Sequence, residues 1–372
     1  MNAKGLRIGL VGPLPPPSGG MANQTRQLAR LLGQEGLEVQ IVQVNAPYRP
    51  HWVGSLRGVR ALFRLVPFLF RLWDVAGRVQ LFHVMANSGW AWHLYAAPAI
   101  WIAKLRRVPV VVNYRGGSAE EFFTRSFFWI KPTMRLADRL VVPSRFLQQV
   151  FARFGLTAEV VPNVIDLSRF APRPANPGPR SDEPHIIVTR NLESIYDIGT
   201  AVRALAIVRK TSPSARMTIA GSGPERNQLG ELAGALGLRG NITFTGRLDN
   251  DRMGELYQQA DLFLNPSLVD NMPISILEAL ASGVPVVTTD VGGIPFLVEH
   301  QKTAILVAPR DADAMARALL DLLNDPARAR RLASAGRDSV QQYTWSNVRA
   351  RLFDVYSGVA PGAPENAAAE TK

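Results

Sequence analysis

One pattern limits the fold of this chain more than any other. Short apolar runs alternate with amphipathic helical stretches, and the alternation stops at a proline-rich segment and then starts again. Before that segment the apolar runs are LRIGLVG (6–12), LEVQIVQV (37–44), VQLFHVM (79–85), VPVVVNYRGG (108–117), DRLVVPS (138–144) and AEVVPN (158–163). After it come HIIVTRN (185–191), RMTIAGSG (216–223), ITFTGR (242–247), DLFLNPS (261–267), VPVVTTD (284–290) and AILVAP (304–309). Runs this short and this apolar read as buried strands. Stretches such as MANQTRQLARLLGQEG, RFLQQVFARFG, GTAVRALAIVRK and DADAMARALLDLLND read as helices between them. Strands and helices in alternation predict parallel sheets with helices on both faces. The expected organisation is therefore an α/β domain over 1–170, a linker over 171–184 and a second α/β domain over 185–342. A final helix over 343–358 and a disordered tail over 359–372 complete it. Two Rossmann-like domains of this kind are expected to face a cleft, with ligands at the carboxyl ends of the strands.

Composition narrows the function. The chain has 372 residues, enough for two domains of about 150 residues each. It has no cysteine, which excludes disulfides, thiol nucleophiles and Cys-ligated zinc. The apolar run after Arg7 is too short for a signal peptide, and a cytoplasmic setting is the expectation. The longest apolar stretch, Gly89–Ala103, contains His93 and Pro98 and falls short of the ~20 residues that span a bilayer. A net charge of +12 points to a polyanionic partner: nucleic acid, an anionic membrane or a phosphorylated substrate.

Several short motifs could carry chemistry. Gly19 and Gly20 sit between a strand and a helix, where a phosphate or sugar can approach the backbone and meet free helix N–H groups; a plain turn explains them as well. AGSGPE (220–225) repeats the theme with Gly221 and Gly223. Neither loop completes G-x-G-x-x-G, so a nicotinamide dehydrogenase is not expected. Asp311 and Asp313, like Asp249 and Asp251, stand where helices begin and read as caps rather than metal ligands. The five histidines have no metal-ligand spacing, and no metal or other cofactor is expected. His83, near the end of a predicted strand, either faces a cleft or is a buried structural residue.

The most informative stretch is SLVDNMPISILEALASGVPVV, 267–287. Asp270 lies in the loop at the carboxyl end of a predicted strand. Pro273 suits the first turn of a helix, and Glu278 lies about one and a half turns further on. A carboxylate there can accept hydrogen bonds from the hydroxyls of a ribose. The N–H groups from Pro273 to Ile276 could hold phosphate oxygens. A capping Asp and a surface Glu remain the plainer reading of each residue alone.

Taken together, these blocks resemble the family 4 glycosyltransferases, which have the GT-B fold. The resemblance runs from about Arg7 to Tyr356. Members carry Glu-x7-Glu followed by A-x-G-x-P-V-V; here Asp270, seven residues, Glu278 and ALASGVPVV stand in that order. GGMANQTRQLARLL, VPNVIDLSRF, AGSGPE, FTGR and VGGIP match further family blocks in sequence. The resemblance implies two Rossmann-like domains and a C-terminal helix crossing back to the N-terminal one. It also implies a retaining, metal-independent transfer from a nucleotide-diphosphate sugar such as a UDP-sugar. Glu278 would then bind the ribose, and Asp270 would lie near the donor sugar. Gly19 and Gly20 would lie under the diphosphate, and Arg190 would be one of two cations on it. Phe244, Gly246 and Arg247 would flank the base. Asn271, Met272, Ile274 and Ser275, together with Gly221, would complete the donor site; His83, Asn87 and Asn113 would lie near the sugar or acceptor.

Two departures from the family stand out. The usual Lys five or six residues after Arg190 is replaced by Ile195 or Tyr196. The usual His of a YHG-type block is replaced by Arg115, in NYRGG. Either Arg115 takes over the lost positive charge on the diphosphate, or it pairs with a carboxylate on the donor sugar.

The stretch SLRGVRALFRLVPFLFRLWDVAGR (55–78) places Arg57, Arg60, Arg64, Arg71 and Arg78 on one stripe at helical periodicity. It fits an amphipathic surface docking peripherally on anionic lipid, and equally a core helix with its arginines in water. Pro67 is expected to kink or divide it. No nucleic-acid motif is visible. The expected function is a glycosyltransferase acting on a glycan or lipid-linked acceptor in bacterial surface polysaccharide or lipopolysaccharide synthesis, at the inner face of the cytoplasmic membrane. The rivals are a sugar-nucleotide epimerase of the same fold and a non-catalytic nucleotide- or glycan-binding subunit.

Overall fold

The computed structural model describes residues 5–16, 19–48, 50–56, 60–172 and 183–360. Arg57 of the basic stripe, residues 173–182 of the proline-rich stretch and the tail from 361 lie outside the described residues. The chain forms two compact units, 1–162 with 348–372 and 163–347. The division falls ahead of the proline-rich stretch because residues 163–170 pack in the second unit. There the Ile165 N–H donates to Tyr343 O at 3.0 Å, and the Phe170 ring lies edge-on to Tyr257 at 5.8 Å.

The first unit runs β1 (Arg7–Gly12), α1 (Gly20–Gln34), β2 (Glu38–Gln43), α2 (Arg60–Ala76), β3 (Leu81–Ala86), α3 (Ala97–Leu105), β4 (Val110–Tyr114), α4 (Ala119–Arg135), β5 (Arg139–Val142), α5 (Arg145–Arg153) and β6 (Glu159–Val160). Its sheet is six-stranded and parallel, ordered β2-β1-β3-β4-β5-β6. The central strands β3 and β4 are buried along their whole length, which is why their sequences are continuous apolar runs rather than alternating ones.

The second unit runs β7 (His185–Val188), α6 (Ile198–Thr211), β8 (Arg216–Ala220), α7 (Arg226–Ala235), β9 (Ile242–Gly246), α8 (Asn250–Gln259), β10 (Leu262–Asn265), α9 (Ile274–Ala281), β11 (Val286–Thr289), β12 (Ile305–Val307), α10 (Ala312–Asn324) and α11 (Pro326–Ser339). Its sheet is also six-stranded and parallel, ordered β12-β11-β10-β7-β8-β9. The order reverses between β10 and β7, and in such sheets that is where ligands bind. Asp249 and Asp311 cap α8 and α10 by accepting from Arg252 N–H and Ala314 N–H, as the sequence predicts.

The last helix, α12 (Trp345–Ser357), belongs to the first unit from Val348 onward. Arg349 pairs there with Glu35, and the buried Tyr356 hydroxyl meets His83 Nδ1 at 2.8 Å. His83 is fully buried within β3, so of its two readings the buried structural one holds and the cleft one does not. Its other nitrogen, Nε2, lies 3.2 Å from Asn113 Nδ2. An amide N–H can only donate, so Nε2 accepts and Nδ1 carries the proton that goes to Tyr356. Burial, reinforced by the Arg115 charge, pulls the imidazole down to about 3, so the ring stays neutral.

Helix α2 passes through Pro67 without dividing. It buries Phe68, Leu72, Val75 and Ala76 inward. Leu62, Phe63, Val66, Phe70 and Trp73 recur at helical spacing on the outward side and are exposed. The layer continues through α3 and α4. Arg106 lies 4.8 Å over the Trp73 ring, and Trp101 Nε1 donates to Thr133 Oγ1 at 3.2 Å. Along it Phe70, Leu105, Phe128 and Trp129 are 72%, 70%, 80% and 75% exposed, which is unusual for side chains of this size.

Candidate active site

The site in the second unit is assembled from three backbone segments held together by glycines. The first follows β7 and carries Thr189 and Arg190. A Cβ on Gly221 would lie 1.9 Å from Arg190 O, and one on Gly223 would lie 2.2 Å from Leu192 O. Only glycines allow the loop after β8 to approach so closely. Gly221 therefore seats the Arg190 loop by close backbone packing. The second segment, 270–272, follows β10, and the third is the VGGIP loop beneath it. Gly292 and Gly293 would drive a Cβ to 2.2 Å from Asp270 O and 1.8 Å from Asn271 O, and Gly292 has φ +54°. The Gly293 N–H donates to Asp270 O at 2.9 Å. Asn163 closes the arrangement by donating its side-chain amide to Met272 O at 3.0 Å.

These segments bring Arg190, Asp270, Ser275 and Glu278 together. Arg190 forms a largely buried ion pair with Asp270 and donates to Ser275 Oγ at 3.2 Å. Its guanidinium lies 4.1 Å over the Tyr196 ring. Tyr196 thus occupies the place where a second cation is expected, and stacks on the first one instead. Arg190 Nε is buried with no hydrogen-bond partner, an open donor inside the site. Asp270 also accepts from the Asn271 N–H at 2.9 Å. Burial raises its pKa; Arg190, the Asn271 N–H and the Ser267 side chain oppose the rise.

Pro273 stands just before α9 and makes no side-chain cap bond, and Ile274 is the first residue of the helix. Asn271, Met272 and Ser275 are buried. Glu278 is half-buried. Desolvation lifts its carboxyl to about 7, against the opposing influence of a hydrogen bond from Tyr257 and the charges of Arg190 and Arg169. The Tyr257 hydroxyl lies 3.1 Å from Glu278 Oε2, 3.0 Å from Ser275 O and 2.6 Å from Thr189 Oγ1.

Phe244 and Gly246 lie at the end of β9, where Arg226 stacks 3.9 Å over the Phe244 ring. Arg247 Nε reaches Ser222 Oγ at 2.7 Å, in the loop between the two packing glycines. In the first unit Gly19 precedes α1 with extended backbone and open space around its Cβ position, and Gly20 begins the helix. Neither packing nor conformation demands a glycine at 19. Arg115 is half-buried; its Nε donates to Asn113 Oδ1 at 3.2 Å, and burial pulls the guanidinium down to about 10. Asn113 in turn donates to His83. Asn87 Oδ1 accepts from the Ser88 N–H at 2.8 Å, and Ser88 Oγ lies 2.7 Å from the Tyr114 hydroxyl.

The sequence reading missed Thr189, Tyr196 as a stacking partner, Tyr257, and the packing of Gly292 and Gly293 under Asp270. VGGIP carried a signal only as a pair of glycines after a strand. Tyr257 carried none, because an aromatic residue near a helix end reads as core. Among the described residues no group of three or more His, Asp or Glu side chains could hold a metal ion.

Comparison with known proteins agrees with this geometry. Residues 18–169 match the family described as Glycosyltransferase Family 4, and residues 172–339 match Glycosyl transferases group 1. The chain belongs to the family 4 glycosyltransferases. It is 32% identical over 238 residues to the GDP-mannose-dependent alpha-(1-6)-phosphatidylinositol monomannoside mannosyltransferase of Mycobacterium tuberculosis. That match covers 59% of this chain and 62% of the relative's length. It is 26% identical to the phosphatidyl-myo-inositol mannosyltransferase of Mycolicibacterium smegmatis, over 95% of this chain and 94% of that one. In structure it resembles sucrose-phosphate synthase from Thermosynechococcus elongatus with a TM-score of 0.75 at 22% identity, over 94% of this chain and 98% of that one. Anabaena HepE, solved in complex with UDP-glucose, gives 0.73 at 17% identity, over 94% and 99%. The fold is GT-B.

The raised Glu278 carboxyl has a consequence for stability. A folded pKa above the unfolded value means that the ionised form is disfavoured on folding. Glu278 therefore costs stability above pH 7 and costs none below the ordinary carboxylate range. Glu278→Gln is expected to raise Tm at pH 8, and the gain should vanish below about pH 4, as measured by thermal unfolding across pH.

Proposed function

We propose that this chain is a retaining glycosyltransferase that moves a sugar from a nucleoside-diphosphate sugar to a glycan or lipid-linked acceptor. The observation that carries the reading is the Arg190–Asp270–Ser275–Glu278 cluster at the switch point of the second sheet. It combines a carboxylate able to accept two ribose hydroxyls with a cation that has a free buried N–H. In the transfer, an acceptor hydroxyl bonds to the anomeric carbon as the bond to the diphosphate oxygen breaks. The nucleoside diphosphate leaves with the electron pair, and the acceptor proton passes to its oxygen. Arg190 stabilises the charge that develops there, in a site already shaped for it, and no metal is assigned to the step. A diphosphate competes with Asp270 for the guanidinium, so donor binding exchanges one anionic partner for another.

The acceptor belongs to the first unit, with its outward apolar layer. Phe70, Trp73, Leu105, Phe128 and Trp129 together with Arg71, Arg106 and Arg107 suit the interface of an anionic membrane, where aromatic rings and arginines sit at headgroup depth. Among the described residues no helix is long and apolar enough to cross a membrane. The relatives above are named for phosphatidylinositol-based lipids, which supports a lipid-linked acceptor. The setting assigned is the inner face of a bacterial cytoplasmic membrane, in surface glycan assembly such as polysaccharide or lipopolysaccharide synthesis. Tyr196 in place of the second cation favours one rival, a nucleotide-binding subunit without turnover.

Nucleotide release from UDP-, GDP- and ADP-sugars, with and without a membrane-lipid extract, separates the two. The expected result is release from one donor class, stimulated by the extract and greatly reduced in Arg115→Ala. Nucleotide binding with no release from any donor in the presence of extract would favour the binding subunit. Cosedimentation with vesicles of phosphatidylglycerol and phosphatidylcholine tests the membrane face. The triple variant Phe70→Glu, Phe128→Glu, Trp129→Glu should lose at least about tenfold in bound fraction. Unchanged cosedimentation would remove the face from the account.

A further inference from the structure

The Glu278 carboxylate does not stand alone. The Tyr257 hydroxyl is completely buried, and it joins the Thr189–Arg190 segment to helix α9. Thr189 lies beside Arg190 in the chain, Ser275 accepts from Arg190 through its Oγ, and Glu278 is the candidate ribose ligand. The ring is packed between Phe170 and Phe263 at 5.8 and 5.9 Å, so its position does not depend on the hydroxyl's hydrogen bonds alone.

A phenol has one proton and three neighbours here, which constrains how that proton is used. An ionised carboxylate is the strongest acceptor of the three. With Glu278 ionised, Tyr257 donates to it, and Thr189 Oγ1 donates in turn to the phenol oxygen. With Glu278 protonated, that proton is released to Ser275 O. The phenol itself cannot ionise near neutrality, because burial raises its pKa and the Glu278 charge raises it further. It is a donor throughout.

We propose that Tyr257 is a positioning residue for the nucleotide site: its hydroxyl, supported by Thr189, keeps Glu278 ionised and turned to accept the ribose hydroxyls. The proposal rests on the nucleotide reading given above. The charged groups facing Glu278 from the other segments are Arg190 and Arg169, both of which favour the ionised form. Tyr257 adds the one directed side-chain hydrogen bond to this carboxylate among the described residues. Loss of a hydrogen bond to a charged group moves a titration by about one pH unit or more.

Calorimetric titration of the full chain with UDP, GDP and ADP between pH 5.5 and 9 provides the test. Wild-type affinity is expected to rise through neutrality as Glu278 ionises. In Tyr257→Phe, which keeps the ring and its packing, the midpoint should move upward by about one unit. Affinity should fall about fivefold at pH 7, approach a roughly tenfold loss at pH 5.5, and approach the wild-type value at pH 9. Thr189→Val should shift the midpoint in the same direction, and Thr189→Ser should restore it. A purely structural role would weaken binding equally at every pH, so an unmoved midpoint overturns the proposal. Glu278→Gln separates the two levels of the argument. If it binds nucleotide as tightly as wild type, the nucleotide reading fails and this inference fails with it. If it loses affinity while Tyr257→Phe titrates like wild type, only the role of Tyr257 is wrong. Unfolding of the Tyr257→Phe and Glu278→Gln variants, singly and combined, across the same pH range reads the same coupling without ligand. Strict additivity at all pH values would also overturn it.

Discussion

The largely buried ion pair between Arg190 and Asp270 organises the second unit's candidate site. Two opposite charges withdrawn from water gain little net stability, but removing one partner leaves the other uncompensated, at a cost of about 3–5 kcal/mol. Each partner sits on backbone that approaches another strand loop too closely for any side chain. Gly221 and Gly223 lie under the Arg190 segment, and Gly292 and Gly293 under the Asp270 segment. The two charges are therefore held by main chain and cannot easily relax apart. Arg190 also fastens Ser275, and Ser275 shares Tyr257 with Glu278. A ligand that competes for the guanidinium acts on the whole cluster.

Positive charge elsewhere in the chain has a different context. In the first unit Arg115 is supported by a line of neutral side chains, Asn113, His83 and Tyr356, of which the last comes from the C-terminal helix. Arg106 instead stacks on the exposed Trp73 ring, and Arg71 pairs with Asp74 at the surface. The excess of +12 thus divides between interior and surface uses. Interactions of cations at the surface are screened by salt, whereas those of cations inside are screened much less.

Much of this was legible in the chain because it is local. Buried parallel strands read as continuous apolar runs. The D-x7-E spacing fixed which carboxylates share a strand end and the helix after it. Asp249 and Asp311 announced themselves as caps by preceding helical periodicity. What could not be read depends on long-range contact. His83 is interior because Tyr356, 273 positions away, supplies its partner. Tyr257 acquires meaning only once Thr189 and Glu278 are folded around it. For the outward side of α2 the sequence leaves a lipid-facing surface and a core helix equally open, since apolar periodicity does not say which stripe the sheet takes. The unit boundary shifted for the same reason: Ile165 and Phe170 pack in the second unit ahead of the prolines that mark a linker.

The most direct measurement of the central claim is a structure of the chain with the nucleoside diphosphate of its preferred donor. The account predicts both ribose hydroxyls on the Glu278 carboxylate and a diphosphate oxygen on Arg190, with the guanidinium drawn away from Asp270. A nucleotide bound elsewhere, with the Arg190–Asp270 pair undisturbed, would contradict it.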